Sequence, residues 1–311
     1  MNSFAKALGC IALTLLVTSA VSCSGVREKP LNLLIVSGQN NHNWPVSHQA
    51  LQLIYNNTGM FRADVALTPE EGGDMSLFKP DFSAYDVVVL DYNGDDWCEE
   101  TREAFLDYVK GGGGVVVYHA ADNAFPDWEE YNSIIALGGW CGRDEKSGPY
   151  CYLDEDGCLV QDSETPGPGG NHGRQREYQM HCRDNSHPIT KGLPDNWLHA
   201  RDEMYDCMRG PGNIDCLLYS GKSDASTGGS GREEPLVFTV RYGDARILHV
   251  MLGHGGPSLE DNPAMQCSGF QTLMLRGAEW VATGEVTQEV PDDFPGSDAV
   301  ILRTDYGKIV D

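Results

Sequence analysis

YDVVVLDYNGDDWCEETREAFLDYVKGGGGVVVYHAA, residues 85–121, is the most informative stretch of the sequence. Apart from Asp86, residues 85–90 are apolar without alternation, which is typical of a strand that is buried on both faces of a parallel sheet. Residues 99–110 carry apolar side chains at helical spacing. Four glycines then end the helix, and a second apolar run follows at 115–121. Strand, helix, glycine break and strand together predict a βαβ unit with a right-handed crossover.

Similar patterns extend in both directions from this unit. Apolar runs at 31–36 and 64–67 predict strands, and 48–55 predicts a helix between them. Two further apolar runs, 235–241 and 246–252, flank a tight turn and predict a β-hairpin. Residues 270–282 then predict an amphipathic helix.

The remaining segments are irregular. From residue 140 to about 211 the chain is rich in Gly, Pro, Asp and Cys, which indicates an insertion with short strands rather than a separate domain. Residues 31–283 are therefore predicted to form one α/β domain, a parallel sheet with helices on both faces and a loop-rich insertion. Residues 284–311 are acidic and contain proline, so we expect an extended tail.

The amino terminus has the pattern of an export signal. Lys6 precedes an apolar run from Ala7 to Val21, which is too short to span a bilayer comfortably. The small residues Ala20, Val21 and Ser22 lead into Cys23, as in the cleavage box of bacterial lipoproteins. We therefore expect residues 1–22 to be a signal peptide, Cys23 to be lipidated, and 23–30 to be a linker. Simple secretion and an uncleaved anchor are the alternatives. A lipoprotein of this kind would be periplasmic or cell-surface and held at the membrane.

Charge and cysteine content add two constraints. The chain has 22 basic and 46 acidic residues and a net charge of −24, so nucleic acid is not an expected partner. Ten cysteines are present. Four of them, Cys141, Cys151, Cys158 and Cys182, crowd into the insertion without the CxxC pairs of a zinc ribbon. In an oxidising compartment this spacing favours disulfides among them over free thiols.

Two histidines follow predicted strands. His119 ends the run at 115–121, and His254 follows the second strand of the predicted hairpin. Ligands of open α/β sheets bind at the carboxyl ends of strands, so both imidazoles are candidates for a shared site. They could act as general acid and base, or as two nitrogen ligands of a divalent metal. Asp122 could orient His119 or contact a sugar hydroxyl, with a helix N-cap as the alternative.

Five motifs occur in an order that resembles the ThuA-like family, whose name refers to trehalose utilization. They are residues 34–38 with the following His42 and Trp44, residues 112–122, residues 187–194 with the following 202–205, residues 243–254, and the last helix with Trp280. The resemblance covers about residues 31–283. It implies a flavodoxin-like sheet of the class I glutamine amidotransferase type. His119 then stands where amidotransferases have a nucleophilic cysteine, so glutaminase activity is not expected. His254 is similar in position to their catalytic histidine.

The same resemblance places further candidates beside the cleft. Glu203 is the carboxylate that it pairs with His119 and His254, either for proton transfer or as a third metal ligand. Neighbouring Asp202 is expected to be a solvated loop charge, and Tyr205 either donates to a substrate oxygen or packs.

Amide and aromatic side chains suit sugar rings, which makes such residues in the loops candidates for substrate binding. They are Asn40, His42, Trp44, Tyr205 and His187. His172 and His181 lie in the insertion and could close over the cleft, whereas structural roles are favoured for His199 and His249.

The resemblance implies carbohydrate metabolism that proceeds through 3-keto sugars. The leading hypothesis is an exported enzyme that processes 3-keto-glycosides by acid–base or metal-assisted chemistry. A non-catalytic sugar-binding lipoprotein is the alternative. A serine hydrolase ranks last, because Ser37 and Ser220 lie near strand ends but in no GxSxG elbow. The sequence leaves open which sugar and which metal are bound, and the oligomeric state.

Overall fold

The computed structural model describes residues 29–308. The thirteen strands of this part are β1 (Leu31–Ser37), β2 (Phe61–Leu67), β3 (Val87–Leu90), β4 (Gly114–Tyr118), β5 (Tyr150–Leu153), β6 (Leu159–Asp162), β7 (Asn171–His172), β8 (Arg176–Cys182), β9 (Asn196–Asp202), β10 (Tyr205–Asp206), β11 (Ile214–Lys222), β12 (Glu233–Tyr242) and β13 (Ala245–Val250). The five α-helices of the same residues are α1 (Trp44–Asn56), α2 (Glu99–Lys110), α3 (Glu129–Ile135), α4 (Pro263–Gln266) and α5 (Ser268–Thr283).

One mixed sheet organises the chain. Its order is β2-β1-β3-β4-β13-β12-β11-β8-β9, with β5 and β6 attached at β12. The pairs from β2 to β13 are parallel, and those from β13 to β9 are antiparallel. The α/β prediction is thus confirmed, and the predicted hairpin extends the parallel half with antiparallel strands.

The two strands at the centre of the sheet's parallel half, β3 and β4, are buried along their whole length. All four residues of β3 and all five of β4 are buried, as their unalternating apolar sequences predict. Helix α2 has the predicted bounds and ends at the glycine run. Gly114, the last glycine, lies so close to α5 that an added Cβ would stand 2.8 Å from the Val281 carbonyl carbon. A side chain there would push the last helix away from β4.

The strand order explains where a ligand can bind. From β1 the chain crosses to β2 on one side, whereas from β3 it crosses to β4 on the other. Because both crossovers are right-handed, helices α1 and α2 lie on opposite faces of the sheet. A crevice therefore opens at the carboxyl ends of β1 and β3, where the direction of winding reverses.

The insertion builds the antiparallel side of the sheet. Strand β8 pairs with β11 and β9, so this region continues the main sheet, as predicted for an insertion rather than a separate domain. The short strands β7 and β10 pair with each other away from it. They place His172 opposite Tyr205. The insertion thereby delivers several side chains to the carboxyl ends of the parallel strands.

The prediction of disulfides within the insertion is wrong. All eight cysteines among residues 29–308 are unpaired. Cys141 and Cys158 are exposed in different loops, Cys151 is buried in β5, and Cys182 ends β8. Their closeness along the chain therefore does not bring their sulfur atoms together.

The last described segment packs against the body. Phe294 is buried beside Trp197, with 5.5 Å between ring centroids, and the Tyr306 hydroxyl donates to the Leu259 carbonyl at 2.7 Å. Apart from an isolated bridge at Leu302, residues 285–308 contain no strand and no helix. No helix in the described part of the chain has the length and apolarity to cross a membrane. The predicted signal peptide and Cys23 lie outside the described residues.

Candidate functional site

Glu203 lies at the centre of a group of imidazoles. His42 Nε2 is 3.4 Å and His119 Nε2 is 3.9 Å from one carboxylate oxygen, Oε2. His254 Nε2 is 3.3 Å and His172 Nε2 is 3.8 Å from the other oxygen, Oε1. We call Glu203, these four histidines and the adjoining Tyr205 the Glu203 cluster. Its members come from the ends of β1, β4 and β13 and from the insertion, so residues far apart in sequence meet at one edge of the sheet.

His119 occupies a strained turn directly after β4. Its φ of +45° is rare for a residue with a side chain, and a short 3₁₀ helix follows at His119–Asn123. The imidazole is buried, with Nδ1 2.8 Å from the Met251 carbonyl. Nδ1 therefore donates, and Nε2 is free to accept from the Tyr205 hydroxyl at 3.1 Å. This strand-to-helix elbow fixes the ring in one orientation.

Burial and mutual charge set the protonation of the site. Burial lowers the pKa of His119 to about 3, and the neighbouring His42 adds to the effect. Burial also lowers the pKa of His254. For Glu203 burial raises the pKa, but the surrounding imidazoles, His42 first among them, outweigh it and bring the value to about 2. The cluster thus contains an ionised carboxylate among imidazoles of which at least His119 and His254 favour the neutral form.

Asp202 holds two parts of the cluster in place. It is fully buried, pairs with His199 Nε2 at 2.8 Å, and accepts from the backbone N–H groups of Gly253 at 2.7 Å and His254 at 3.0 Å. Gly253 can turn its N–H inward because its φ is +101°, and a Cβ there would lie 2.6 Å from the Phe270 ring. The expectation of a solvated loop charge at Asp202 is therefore wrong. The burial of His199 agrees with the structural role favoured for it.

Asn40 and Asp91 orient His42. Asp91 is buried at the carboxyl end of β3, where it accepts from Ser47 at 2.7 Å, Ser37 at 3.1 Å and the Asn40 amide at 3.3 Å. Asn40 in turn accepts from the His42 backbone N–H. Burial raises the pKa of Asp91 to about 7, although these three hydrogen bonds oppose the shift. Asp91 was not among the sequence candidates, although its position directly after an apolar strand is a signal that could have identified it.

A cleft of about 380 Å³ opens beside the cluster. Its polar lining comprises Asn41, His42, Asn43, Gln175, Arg201 and His254. Gln175 Nε2 also donates to Glu203 Oε1 at 3.4 Å. Gln175, directly before β8, and Arg201, in β9, were not among the sequence candidates, because both belong to the irregular insertion. The cleft can therefore offer amide, guanidinium and imidazole groups to a hydroxylated ligand.

The sequence and fold of the chain are similar to those of known proteins. The sequence profile described as trehalose utilisation, ThuA, matches residues 32–281. The chain belongs to the ThuA family. It is similar to a solved ThuA-like protein from Parabacteroides merdae, with 62% identity, a TM-score of 0.88, and coverage of 89% of this chain and 99% of that one.

A second solved relative is more distant. A ThuA-like protein from Bacteroides uniformis has 18% identity and a TM-score of 0.55, with coverage of 85% of this chain and 98% of that one, so it supports the fold alone. A search of curated protein sequences found no match.

Within this ThuA-family chain, the predicted residues His119, His254, Glu203, Tyr205 and His42 come together in the cluster, and Asn40 supports it. His172, proposed to close over the cleft, joins them. His181 does not, because its Nδ1 pairs with Glu233 at 2.7 Å.

Three other candidates lie apart from the cluster. Asp122 is fully buried and 3.3 Å from His249 Nε2, so it neither orients His119 nor caps a helix. The His187 ring packs against Trp280 with centroids 4.7 Å apart, and its Nδ1 accepts from the Ile189 N–H. Trp44 stacks on His48 and lines a neighbouring pocket of about 590 Å³ that also includes Asn40 and Asn93. Direct roles for Asp122 and His187 beside Glu203 are therefore not supported by their positions.

Proposed function

We propose that this protein is a carbohydrate-active enzyme that processes 3-keto-glycosides by acid–base chemistry at the Glu203 cluster. The observation that carries the proposal is the convergence of four imidazoles on one buried carboxylate beside a polar cleft, with a tyrosine hydroxyl against two of these imidazoles. A site of this composition can both accept and donate protons near neutral pH. Membership of a family described by trehalose utilisation supports a sugar as the substrate class.

A keto group makes the chemistry feasible. The C–H bond at C2 of a 3-keto-glucoside lies next to the carbonyl, so a base can remove that proton and leave an enediolate. The electron pair then forms the C1–C2 double bond as the C1–O bond breaks, and the departing alcohol takes a proton from an acid. His254 and His172 have the most exposed side chains of the four imidazoles, 25% and 36%, which makes them the candidate bases.

Tyr205 is the candidate acid. Its hydroxyl lies 3.1 Å from His119 Nε2 and 3.5 Å from His42 Nε2, so it is held between two imidazoles. Burial raises the pKa of Tyr205, which keeps the hydroxyl protonated. Asn41, Asn43 and Arg201 line the cleft and offer hydrogen bonds to sugar hydroxyls.

The test is turnover of 3-keto-trehalose and a 3-keto-glucoside by purified protein. We expect a new product by chromatography and, in D₂O, deuterium at C2 of recovered substrate. H172Q and Y205F should slow both, whereas H187Q, whose ring packs on Trp280, should not. Absence of product and of exchange would contradict the proposal. Tight sugar binding that survives replacement of His119 with alanine would instead favour the sugar-binding alternative.

We also propose export as a lipoprotein anchored through Cys23, in the periplasm or at the cell surface. The support is the sequence pattern of residues 1–23 alone. Metabolic labelling with a radioactive fatty acid should mark the wild-type protein and not C23A. Equal labelling of both, or of neither, would contradict lipidation at this residue.

A further inference from the structure

Three side chains of the cluster have the spacing of a metal site. Atoms of His42, His254 and Glu203 that could act as ligands all lie within 4.8 Å of one another. Around a tetrahedral ion with bonds of about 2.1 Å, ligand atoms lie roughly 3.4 Å apart. His42 Nε2 lies 3.4 Å from Glu203 Oε2, and His254 Nε2 lies 3.3 Å from Glu203 Oε1, so each imidazole is at about this distance from one carboxylate oxygen.

The tautomer of His42 follows from its neighbours. The Asn40 amide nitrogen donates to Asp91 Oδ1, and the Asn40 oxygen accepts from the His42 backbone N–H at 3.0 Å. These two bonds fix the amide so that its oxygen faces His42 Nδ1 at 3.2 Å. Nδ1 therefore carries the hydrogen of the neutral ring, and Nε2 presents a lone pair to Glu203.

The same arrangement recurs at His172. Its Nδ1 lies 2.8 Å from the Gly173 carbonyl and must donate, so the neutral tautomer compatible with this contact has its Nε2 lone pair toward Glu203 Oε1, at 3.8 Å. Lone pairs that converge on a carboxylate repel it unless positive charge lies between them. Histidines that bind metals characteristically donate their second N–H to a protein oxygen, as His42 does to Asn40.

His119 differs from these rings. Its Nδ1 donates to Met251, and its Nε2 accepts from Tyr205, so both nitrogens have partners within the protein. The sequence suggests His119, His254 and Glu203 as the candidate metal ligands. The structure favours His42 over His119 as the second imidazole ligand.

We propose that His42 Nε2, His254 Nε2 and the Glu203 carboxylate bind one divalent transition-metal ion. Two imidazoles and one carboxylate suit zinc, cobalt, iron or manganese, and they leave coordination positions open for a ligand. The catalytic role of this site rests on the proposed function: the ion would act as a Lewis acid toward the ketone and enediolate oxygens. Coordination of His254 then leaves His172 as the base for C2.

The test uses the metal alone. Untagged full-length protein is stripped with a chelator and titrated with cobalt chloride, with visible absorption bands and equilibrium dialysis as readouts. We expect one Co²⁺ per chain for wild type, H119Q and H187Q, and none for H42Q, H254Q or E203Q. N40A, which removes only the partner of His42 Nδ1, should weaken binding about 10- to 100-fold.

Two results would overturn the metal site: no stoichiometric cobalt on the wild type, or loss of cobalt in H119Q with retention in H42Q. Circular dichroism establishes whether each variant is folded. If a ligand variant misfolds, the cobalt affinity of N40A is compared with that of the wild type instead, because N40A leaves all three proposed ligands in place. The two proposals also fail separately. Full turnover by chelator-treated protein that binds no cobalt would refute the metal site and leave the enzyme, whereas cobalt binding without turnover would leave the site and refute the enzyme.

Discussion

Tyr205 and His119 stack with 4.5 Å between ring centroids, and the Tyr205 hydroxyl lies 3.1 Å from His119 Nε2. Tyr205 begins β10 in the insertion, whereas His119 directly follows β4 in the parallel half of the sheet. Their contact therefore joins the two halves of the molecule at the candidate site. Because His119 Nδ1 donates to Met251, the hydrogen between the two side chains belongs to the tyrosine.

Y205F should remove a proton donor and little else. We expect kcat on a 3-keto-glycoside to fall about 10²- to 10⁴-fold with KM nearly unchanged. The replacement ring preserves the stack, so the free energy of unfolding should fall by only about 1–3 kcal/mol, because the buried His119 Nε2 loses this donor. Steady-state kinetics and urea unfolding measure the two effects. Y152F, in β5, is the matched control, and an equal fall in its kcat would argue against a specific role for Tyr205.

D202N should destabilise the fold and disorder the loop that carries His254. Burial lowers the pKa of His199, but Cys267 and Asp202 beside it outweigh this and raise the value to about 9. His199 is therefore charged at neutral pH, and the variant leaves that charge buried without its partner. We expect a loss of about 3–5 kcal/mol in the free energy of unfolding.

Urea unfolding measures this loss, and D215N provides the comparison. Asp215 pairs with Arg241 at 3.3 Å on the exposed surface, so its substitution should cost less than about 1 kcal/mol. Equal effects of D202N and D215N would show that the buried pair has no special contribution.

Asp91 should make stability depend on pH. Its folded pKa of about 7 exceeds the ordinary 3.8, so the folded protein holds this proton more tightly than the unfolded chain. The stabilisation is complete below about pH 4, decreases as the pH rises, and is lost above about pH 7. D91N carries no charge at any pH, so its stability relative to wild type should rise by up to about 4 kcal/mol over this range.

Urea unfolding of both proteins from pH 4 to pH 8 measures this difference, and the subtraction removes every other group that titrates. A difference that stays constant, or that falls with rising pH, would contradict the role assigned to Asp91.

The cysteines from Cys98 to Cys267 should all react as thiols. Titration of the denatured protein with a thiol reagent, without reductant, should find eight of them in this part of the chain. The melting temperature should be the same with and without dithiothreitol, because no disulfide among them would be reduced. A native disulfide would show itself by a lower thiol count and by a loss of about 2–5 kcal/mol on reduction.

The elements of the parallel half could be predicted because their signals are local. Apolar runs mark β1, β3 and β4, and the glycine run ends α2 where the sequence indicates. The hairpin of β12 and β13 likewise follows from two apolar runs around a tight turn. His119 and His254 could be found for the same reason, since each stands directly after such a strand.

The insertion could not be predicted in this way. The sequence gives no local sign that Asp202 lies under the Gly253 backbone or that His172 pairs opposite Tyr205, because both depend on strand pairing between distant segments. The same limit produced the wrong disulfides, which were inferred from spacing along the chain. It also produced the wrong surroundings for Asp122, which reaches His249 in a strand far along the sequence.

By itself, the sequence determined the α/β class, the family and the two strand ends at which chemistry could occur, because hydrophobic periodicity and glycine breaks act over a few residues. The tertiary structure alone decided that Glu203 lies at the centre, that His42 approaches it while His119 turns toward Met251, and that Asp91 supports them. The hydrogen bonds that select these orientations form only when strands distant in sequence are brought side by side.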